Sequence, residues 1–462
     1  MTRSVQVFAY LRPSAIRNAR DGKLLALETS GGSTAGGTRP HPSFFSGFLA
    51  SPQAAAAGLL SVADVAAARY GQRLLGRSLD PVVSGNGDRL RFESFSGCRG
   101  VHARLDVLRA GLDGGQIGHG TTNVDVNVPL REALSRIGAG DPTRLRVGPD
   151  EPAVTPLGGP VLEKKVPLPD HWLRGFAETQ VIASGFDLRA ELTGADALGF
   201  LRSLPRGHAR DSSPGAQWLT PAGRSLRPVT RPAPGAVCLP GPERLAALQR
   251  VLRHVTGLRV YGPPVAARAA PVASAWEVSM PGMRLTLMLS PETSRGFSGE
   301  GGALEALSTH EAAEDAELVS VLLAWEPRID PAELAERAGL SVRRAQAALT
   351  RLATAGRVGY DTAEAAYFHR ELPYDAERAE RHTPRLRAAR ALLDTGAVTL
   401  DGEMASVASG DHAHRVRHAS GPLSCTCPWW AQYRGGRGPC KHALAVRMLR
   451  RGAASERVGS AR

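Results

Sequence analysis

Three of the five cysteines in this 462-residue chain lie within 16 residues of one another near its carboxyl end. They are Cys425, Cys427 and Cys440, and His442 follows two positions later, whereas Cys98 and Cys238 stand alone. The number of cysteines is odd, and the first segment of the chain lacks the apolar run of a secretion signal. Both observations disfavour a disulfide framework. We therefore interpret the group as a metal site and expect the two isolated cysteines to be buried structural residues.

The spacing of the four clustered residues suits a single ion. If Cys425 and Cys427 lie on an extended strand, they project to the same side with Cα atoms about 7 Å apart, so both sulfurs can reach one metal. Cys440 and His442 precede an apolar pattern typical of a short helix, whose free amides and positive dipole end favour a thiolate. Three thiolates and one imidazole complete a tetrahedral Zn2+ shell, which predicts a structural rather than a catalytic site.

The order Cys-x-Cys, a gap of 12 residues and Cys-x-His resembles the SWIM zinc finger, and all four ligand positions match. The resemblance implies a strand–strand–helix module that binds zinc and that contacts DNA or protein in its various host proteins. The layout of the whole chain is similar to that of stand-alone bacterial proteins of the SWIM zinc finger family.

Aromatic and basic residues surround the predicted ligands. Trp429 either stacks on unpaired bases or covers the metal site as part of its core. Arg434 and Arg437 lie in the loop RGGRG, where a Gly-rich backbone lets an anion approach closely, and the alternative is an ordinary surface loop. Together with Lys441, these residues are candidates for nucleic-acid contact.

Three nearby histidines, His412, His414 and His418, alternate along a predicted strand. They suggest a second metal site, but polar residues at every second position of a strand usually form its solvated face. We expect the solvated face.

The chain carries a net charge of +13 and a pI near 10.2, and excess positive charge favours contact with nucleic-acid phosphates. Nearly all of the basic residues are Arg, which is also typical of a GC-rich coding sequence, so charge alone leaves both explanations open. Residues 373–462 hold 15 Arg and Lys against 8 Asp and Glu. The excess is therefore concentrated around the predicted zinc site.

Residues 315–372 carry the pattern of three short helices followed by a two-stranded ribbon. Asp330 and Glu333 predict the start of one helix, Gly339 its end, and Ser341 the cap of the next. The order of these elements and the phrase AELAERAGLSVRRAQAALTRLATAGRV resemble a winged helix-turn-helix domain. The resemblance implies that the third helix presents arginines to a DNA groove, with a merely solvated or protein-docking face as the alternative; these arginines are Arg343, Arg344 and Arg351.

We predict an α+β, multidomain architecture. Residues 1–205 are predicted to form a β-rich α+β domain of unknown role, 206–242 a Pro/Gly-rich linker, and 243–304 a small α/β segment. The winged-helix-like domain over 315–372 follows, and the SWIM-type domain over 373–462 ends in a ββα zinc knuckle.

These patterns favour a non-enzymatic zinc protein that contacts nucleic acid or bridges DNA and protein. The alternative is a protein–protein interaction adaptor with a purely structural zinc site and no nucleic-acid binding. A third alternative, an enzyme, would need its site in residues 1–205, which show neither a nucleotide-binding loop nor a nucleophile motif. No segment reaches the roughly 18 apolar residues of a membrane span, so we expect no membrane association and a cytoplasmic location.

Overall fold

The computed structural model describes residues 7–8, 10–68, 80–149, 166–167, 170–205, 215–292, 296–297, 311–323, 325–372, 384–418, 423–434 and 438–459. The helices in this part of the chain are α1 (Pro52–Ala67), α2 (Val128–Leu134), α3 (Asp170–Ala183), α4 (Gly194–Ser203), α5 (Glu311–Leu322), α6 (Pro331–Ala338), α7 (Val342–Thr354), α8 (Pro384–Asp394), α9 (Pro428–Tyr433) and α10 (Lys441–Gly459). A 3-10 helix spans Pro242–His254. Among these described helices, none combines the length and the apolar composition that crossing a membrane requires.

The strands of the described residues alternate with these helices in a mixed α+β architecture, as predicted. They are β1 (Val7–Phe8), β2 (Ala15–Ala19), β3 (Gly22–Leu27), β4 (Gly32–Thr34), β5 (Gly37–Arg39), β6 (Phe45–Leu49), β7 (Val82–Asn86), β8 (Arg89–Phe95), β9 (Val101–Leu108), β10 (Leu112–Asp113), β11 (His119–Asn123), β12 (Thr143–Val147), β13 (Val166–Pro167), β14 (Asp187–Thr193), β15 (Gln217–Ala222), β16 (Ser225–Val229), β17 (Val237–Leu239), β18 (Gly257–Gly262), β19 (Ser274–Met280), β20 (Met283–Leu289), β21 (Val358–Asp361), β22 (Ala366–His369), β23 (Val398–Asp401), β24 (Met404–Ser409), β25 (His412–Arg417) and β26 (Ser424–Cys425).

The largest sheet of the described residues has ten strands in the order β14-β18-β19-β20-β9-β8-β7-β11-β4-β5. Along β8, β9 and β20, side chains alternate between the two faces of this sheet. One face carries buried apolar residues such as Phe92, Leu105 and Leu285 and shares a core with α1 and the 3-10 helix. The opposite face carries charged residues, and we refer to it as the charged face; it includes Arg91, Glu93, Arg104, Asp106 and Arg284.

The sequence predicts separate units over 1–205 and 243–304, but in the structure strands of both ranges belong to the same sheet. Strand β9 pairs with β20, with Leu105 opposite Leu285, and β14 pairs with β18, so both stretches build one sheet. Residues 217–239 of the predicted linker form a three-stranded sheet, β16-β15-β17. Strand pairing between distant segments leaves no mark in the local hydrophobic pattern, and Pro and Gly are tolerated in edge strands and turns.

One segment with alternating apolar residues forms the start of a helix instead of the strand that its pattern predicts. Val124, Val126 and Val128 predict a strand, but β11 ends at Asn123 and α2 begins at Val128. The side chain of Asn127 accepts a hydrogen bond from the backbone N–H of Leu130 and caps the helix. A local cap therefore overrides the period-two pattern.

The order of elements predicted over 315–372 is present. The Asp330 side chain accepts hydrogen bonds from the first-turn amides of α6, and Gly339 ends that helix with a φ of 64°. Ser341 caps α7 through the N–H of Arg344. Strands β21 and β22 then form an antiparallel ribbon. The similarity of this unit to a winged helix stays a prediction.

The ribbon lies against the charged face of the sheet. Asp361 at the end of β21 forms ion pairs with Arg104 at 3.2 Å and with Arg284 at 2.7 Å. Just after β22, Arg370 forms an ion pair with Glu93 at 2.5 Å, and both side chains are buried. The backbone participates as well, because Arg104 donates a hydrogen bond of 2.7 Å to the carbonyl oxygen of Tyr360. The ribbon is thus joined to the sheet by paired charges.

These pairs keep the buried carboxyl groups ionised. Burial by itself raises the pKa of Asp361, but the attraction of Arg104, Arg284 and Arg91 outweighs it and holds that pKa well below its usual value. Burial also raises the pKa of Glu93, but Arg370 and His102 lower this pKa by more than burial raises it. Breaking such a buried pair leaves an uncompensated charge, which costs more than the pair contributes.

We expect Asp361→Ala to lower the free energy of unfolding by about 3 kcal/mol, because the buried Arg104 and Arg284 lose one carboxylate partner and then share Asp106. Chemical denaturation monitored by circular dichroism measures this change. The matched control is Glu336→Ala, which removes an exposed carboxylate from α6 and should leave the midpoint nearly unchanged.

The same comparison has a defined pH dependence. Because the pKa of Asp361 is lower in the folded chain than in the unfolded chain, its stabilising contribution is complete above a pH of about 4 and is lost as the pH falls through the folded value. The stability difference between the wild type and Asp361→Ala should therefore shrink in acid. A difference that stays constant from neutral to acidic pH contradicts this account.

Candidate metal centre

The carboxyl-terminal unit is a small sheet with helices on its sides. Its four strands lie in the order β23-β24-β25-β26 and pair antiparallel. Val416 of β25 lies opposite Cys425 of β26, so the sheet fixes the position of the first predicted ligand. Helix α10 begins at Lys441, directly after Cys440, and it packs on α8 and on the sheet.

The four predicted ligands converge. One donor atom from each of Cys425, Cys427, Cys440 and His442 lies within 4.8 Å of all the others, and all four residues are buried. Nδ1 of His442 is 3.8 Å from Sγ of Cys425 and 4.0 Å from Sγ of Cys440. Ligands bound tetrahedrally to zinc at 2.0 to 2.3 Å lie about 3.5 Å apart. The donor set and its spacing therefore fit Zn2+.

Cys427 reaches the centre in a way that the strand interpretation misses. Strand β26 ends at Cys425, and Cys427 is the N-cap residue of α9. The Sγ of Cys427 accepts a hydrogen bond of 3.4 Å from the N–H of Trp430. Cys440 occupies the equivalent place before α10 and accepts from the N–H of Ala443 at 3.4 Å. Both thiolates thus gain hydrogen bonds from first-turn amides, which favour negative sulfur.

The environment of Cys440 favours its thiolate. Hydrogen bonds from Cys425, from His442 and from the N–H of Ala443 lower the pKa of Cys440 to about 4, although burial opposes this change. The shared proton and burial raise the pKa of Cys425 well above its usual value. Zinc binding displaces such protons, because each thiol coordinates only after it loses its proton.

Residues 398–446 match the family model of the SWIM zinc finger, and this range contains all four ligands. This segment is a SWIM zinc finger. Its zinc shell is filled by protein donors, which is the arrangement of structural zinc sites rather than catalytic ones. Most of the chain, including the ten-stranded sheet, lies outside the matched range.

Comparisons with other proteins add little. No curated protein matches the chain. Among solved structures, the crystal structure of proliferating cellular nuclear antigen from Entamoeba histolytica is similar over 54% of this chain and 100% of that chain, with 7% sequence identity and a TM-score of 0.32. At this TM-score the likeness supports neither a fold assignment nor a function.

The interior of the SWIM zinc finger is apolar and continuous with the metal centre. Ala405, Val407 and Val416 of the sheet pack with the ligand cysteines and with the first turns of α10. Trp429 and Trp430 are half-buried and pack against the same cluster. Trp429 thus packs beside the centre, while part of its surface stays accessible.

The three histidines of this region have different surroundings. The ring of His414 lies 4.3 Å from that of the ligand His442. His418 donates from Nε2 to the carbonyl oxygen of Met404 and accepts a hydrogen bond at Nδ1 from Arg450. His412 is exposed. His414 is thus the member of this group in contact with the zinc site, a role that strand alternation does not reveal.

The predicted basic contacts lie in two places. On α7, Arg343 is exposed and Arg351 half-buried, while Arg344 donates to both carboxylate oxygens of Asp315. In the SWIM zinc finger, Arg434 is exposed at the end of α9 and Lys441 opens α10. Arg437 lies outside the described residues.

Sequence reasoning missed Arg385 on α8. Its guanidinium lies 4.7 Å from the centre of the Trp429 ring, and it donates a hydrogen bond of 3.1 Å to the carbonyl oxygen of Pro439. Arg385 stands 44 positions before Trp429 in the chain, so only the folded arrangement brings the two together.

We expect the purified, reduced protein to hold one zinc ion per chain and Cys440→Ser to lose it. Structural zinc contributes about 10 kcal/mol or more of binding free energy, so the variant should unfold residues 398–450 while the ten-stranded sheet stays folded. Elemental analysis measures the zinc. Hydrogen exchange measures the protection of β24 and β25 against that of β8 and β9.

Cys238→Ala is the matched control, since Cys238 is a buried cysteine outside the centre. It should keep its zinc and the protection of residues 398–450. Retention of one zinc ion per chain by Cys440→Ser contradicts the assignment of Cys440 as a ligand.

Proposed function

We propose that the protein binds nucleic acid through its SWIM zinc finger and that the zinc ion has a structural role. Zinc holds β26, α9 and α10 in place, and these elements present basic side chains on a small rigid frame. Residues 373–462 carry 15 Arg and Lys against 8 Asp and Glu. This local excess of positive charge is the observation that carries the proposal, because phosphate contacts dominate the affinity of nucleic-acid binding.

Several cations of the finger face solvent. Arg415 and Arg417 are exposed at alternate positions of β25, so they share one face of the small sheet. Arg434 is exposed where α9 ends, beside the glycine-rich loop. Exposed arginines on a strand and on an adjoining loop are suited to bind the backbone of a nucleic-acid strand.

The unit over 315–372 supports a secondary contact at most. Its ribbon is buried against the charged face of the sheet through Asp361 and Arg370, and Arg344 is engaged with Asp315. A wing that is buried in this way does not reach a DNA groove. We therefore assign the main contact to the finger and keep Arg343 and Arg351 of α7 as additional candidates.

A second candidate function is that of a protein–protein adaptor. Helix α5 exposes Val321 at 81% and Leu318 at 46%, and these two residues are three positions apart on the same side of the helix. Exposed apolar residues in adjacent positions favour protein contact. In either role we propose no catalytic activity. The cysteines of the zinc site form no disulfide, which favours a reducing compartment such as the cytosol.

We expect the full-length protein to bind DNA with an affinity that falls by about a thousandfold between 50 and 200 mM salt, as for six or more phosphate contacts. Arg434→Gln should weaken binding several-fold and make the salt dependence less steep by about one counterion. Fluorescence anisotropy with a labelled oligonucleotide measures both quantities.

Arg227→Gln on β16 is the control, since it removes an exposed arginine outside the finger and should leave binding unchanged. Absence of binding at 50 mM salt rules out the nucleic-acid role. Capture of the same protein partners from lysate with and without nuclease then favours the adaptor.

A further inference from the structure

A pocket of about 380 Å³ lies between α8 and the zinc centre. The ligands Cys427, Cys440 and His442 form one side of it, and Arg385 and Ala388 of α8 form another. Helix α8 precedes the range that matches the SWIM zinc finger model. The pocket therefore arises from the packing of this additional helix on the finger, and it depends on an intact zinc site.

The lining of the pocket combines two cations with largely apolar walls. Arg385 and Lys441 carry the positive charge, His414 also lines the pocket, and no Asp or Glu is among the lining residues in the described part of the chain. The remaining walls include Pro428, Ala388 and the ring of Trp429. Such a cavity favours a ligand with an anionic group and a flat apolar body.

Arg385 is held over the ring of Trp429. Its guanidinium carbon lies 4.7 Å from the ring centre, and its hydrogen bond to the carbonyl oxygen of Pro439 fixes the position of the side chain. Guanidinium planes and aromatic rings are the surfaces on which proteins stack unpaired bases. Arg385 and Trp429 together therefore offer a stacking surface with a positive charge at its edge.

His442 gives a second indication of a ligand. Its Nδ1 lies toward the cysteine sulfurs, and its Nε2 is buried without a hydrogen-bond partner among the described residues. A zinc-binding histidine usually donates its second ring N–H to an oxygen. Because His442 lines the pocket, a ligand oxygen that reaches Nε2 would supply this acceptor.

We propose that this pocket binds one unpaired nucleotide of a single-stranded nucleic acid, with the base against Arg385 and Trp429 and the phosphate beside Lys441. The proposal rests on the proposed function and specifies the form of nucleic acid that the finger selects. A volume of about 380 Å³ is at the small end of ligand pockets and admits one base that has left a stack. An acidic peptide would use the positive charge but leave the flat apolar wall without a partner.

The test compares single-stranded and duplex forms of one ten-nucleotide sequence, bound to the full-length protein and measured by fluorescence anisotropy. The wild type should prefer the single strand, and Arg385→Gln should weaken single-strand binding about tenfold. Arg387→Gln is the matched control, because Arg387 is an exposed arginine of the same helix outside the pocket. It should change binding less than twofold, and zinc content is measured for each variant.

A second measurement locates the base directly. A single strand that carries one 4-thiothymidine is irradiated in complex with the wild type, and mass spectrometry identifies the attached peptide. Attachment at Trp429 or His414 is the expected result. Attachment only outside the pocket overturns the proposal.

The outcomes separate the two proposals. If the wild type binds single strands and Arg385→Gln behaves like Arg387→Gln, the pocket proposal fails and nucleic-acid binding stands. If neither strand form binds at 50 mM salt, both fail. Binding of a poly-glutamate peptide in place of nucleic acid, with loss in Arg385→Gln, overturns the nucleotide assignment in favour of an acidic protein segment.

Discussion

The pairing of buried charges between the large sheet and the ribbon determines how most of this chain is organised. An apolar layer over the sheet face that carries Arg91, Arg104 and Arg284 would remove water from these cations and leave them Asp106 of the same face as a shared ion-pair partner. Asp361 of the ribbon gives Arg104 and Arg284 a second carboxylate partner, and Glu93 of the sheet pairs with Arg370, which follows the ribbon. The ribbon of the unit over 315–372 is thereby packed on the sheet as an additional layer.

The zinc centre plays the corresponding role at the carboxyl end, with coordination in place of ion pairing. Its small sheet and helices enclose few large apolar side chains, and the cysteine ligands themselves belong to the buried cluster. A core of this size gives limited stability without a cross-link. The metal therefore fixes the relative positions of β26, α9 and α10, and with them the exposed arginines and the pocket beside α8.

Several features were predictable from the sequence because they depend on neighbouring residues. The caps at Asp330 and Ser341 follow from hydrogen bonds between residues that are two or three positions apart. The zinc ligands were predictable for a related reason. The ligands form two pairs, Cys425 with Cys427 and Cys440 with His442, and one residue separates the members of each pair. This spacing restricts the geometry so strongly that metal binding is the simplest interpretation.

By itself, the sequence determined the zinc ligand set, the α+β class, both ends of α6 and the start of α7. Only the tertiary structure decided that β9 pairs with β20, that Asp361 of the ribbon pairs with Arg284 of the sheet, and that Arg385 lies over the Trp429 ring. These contacts join residues separated by tens to hundreds of positions. Their partners are chosen by the competition of whole surfaces for burial and charge compensation, which no short window of residues contains.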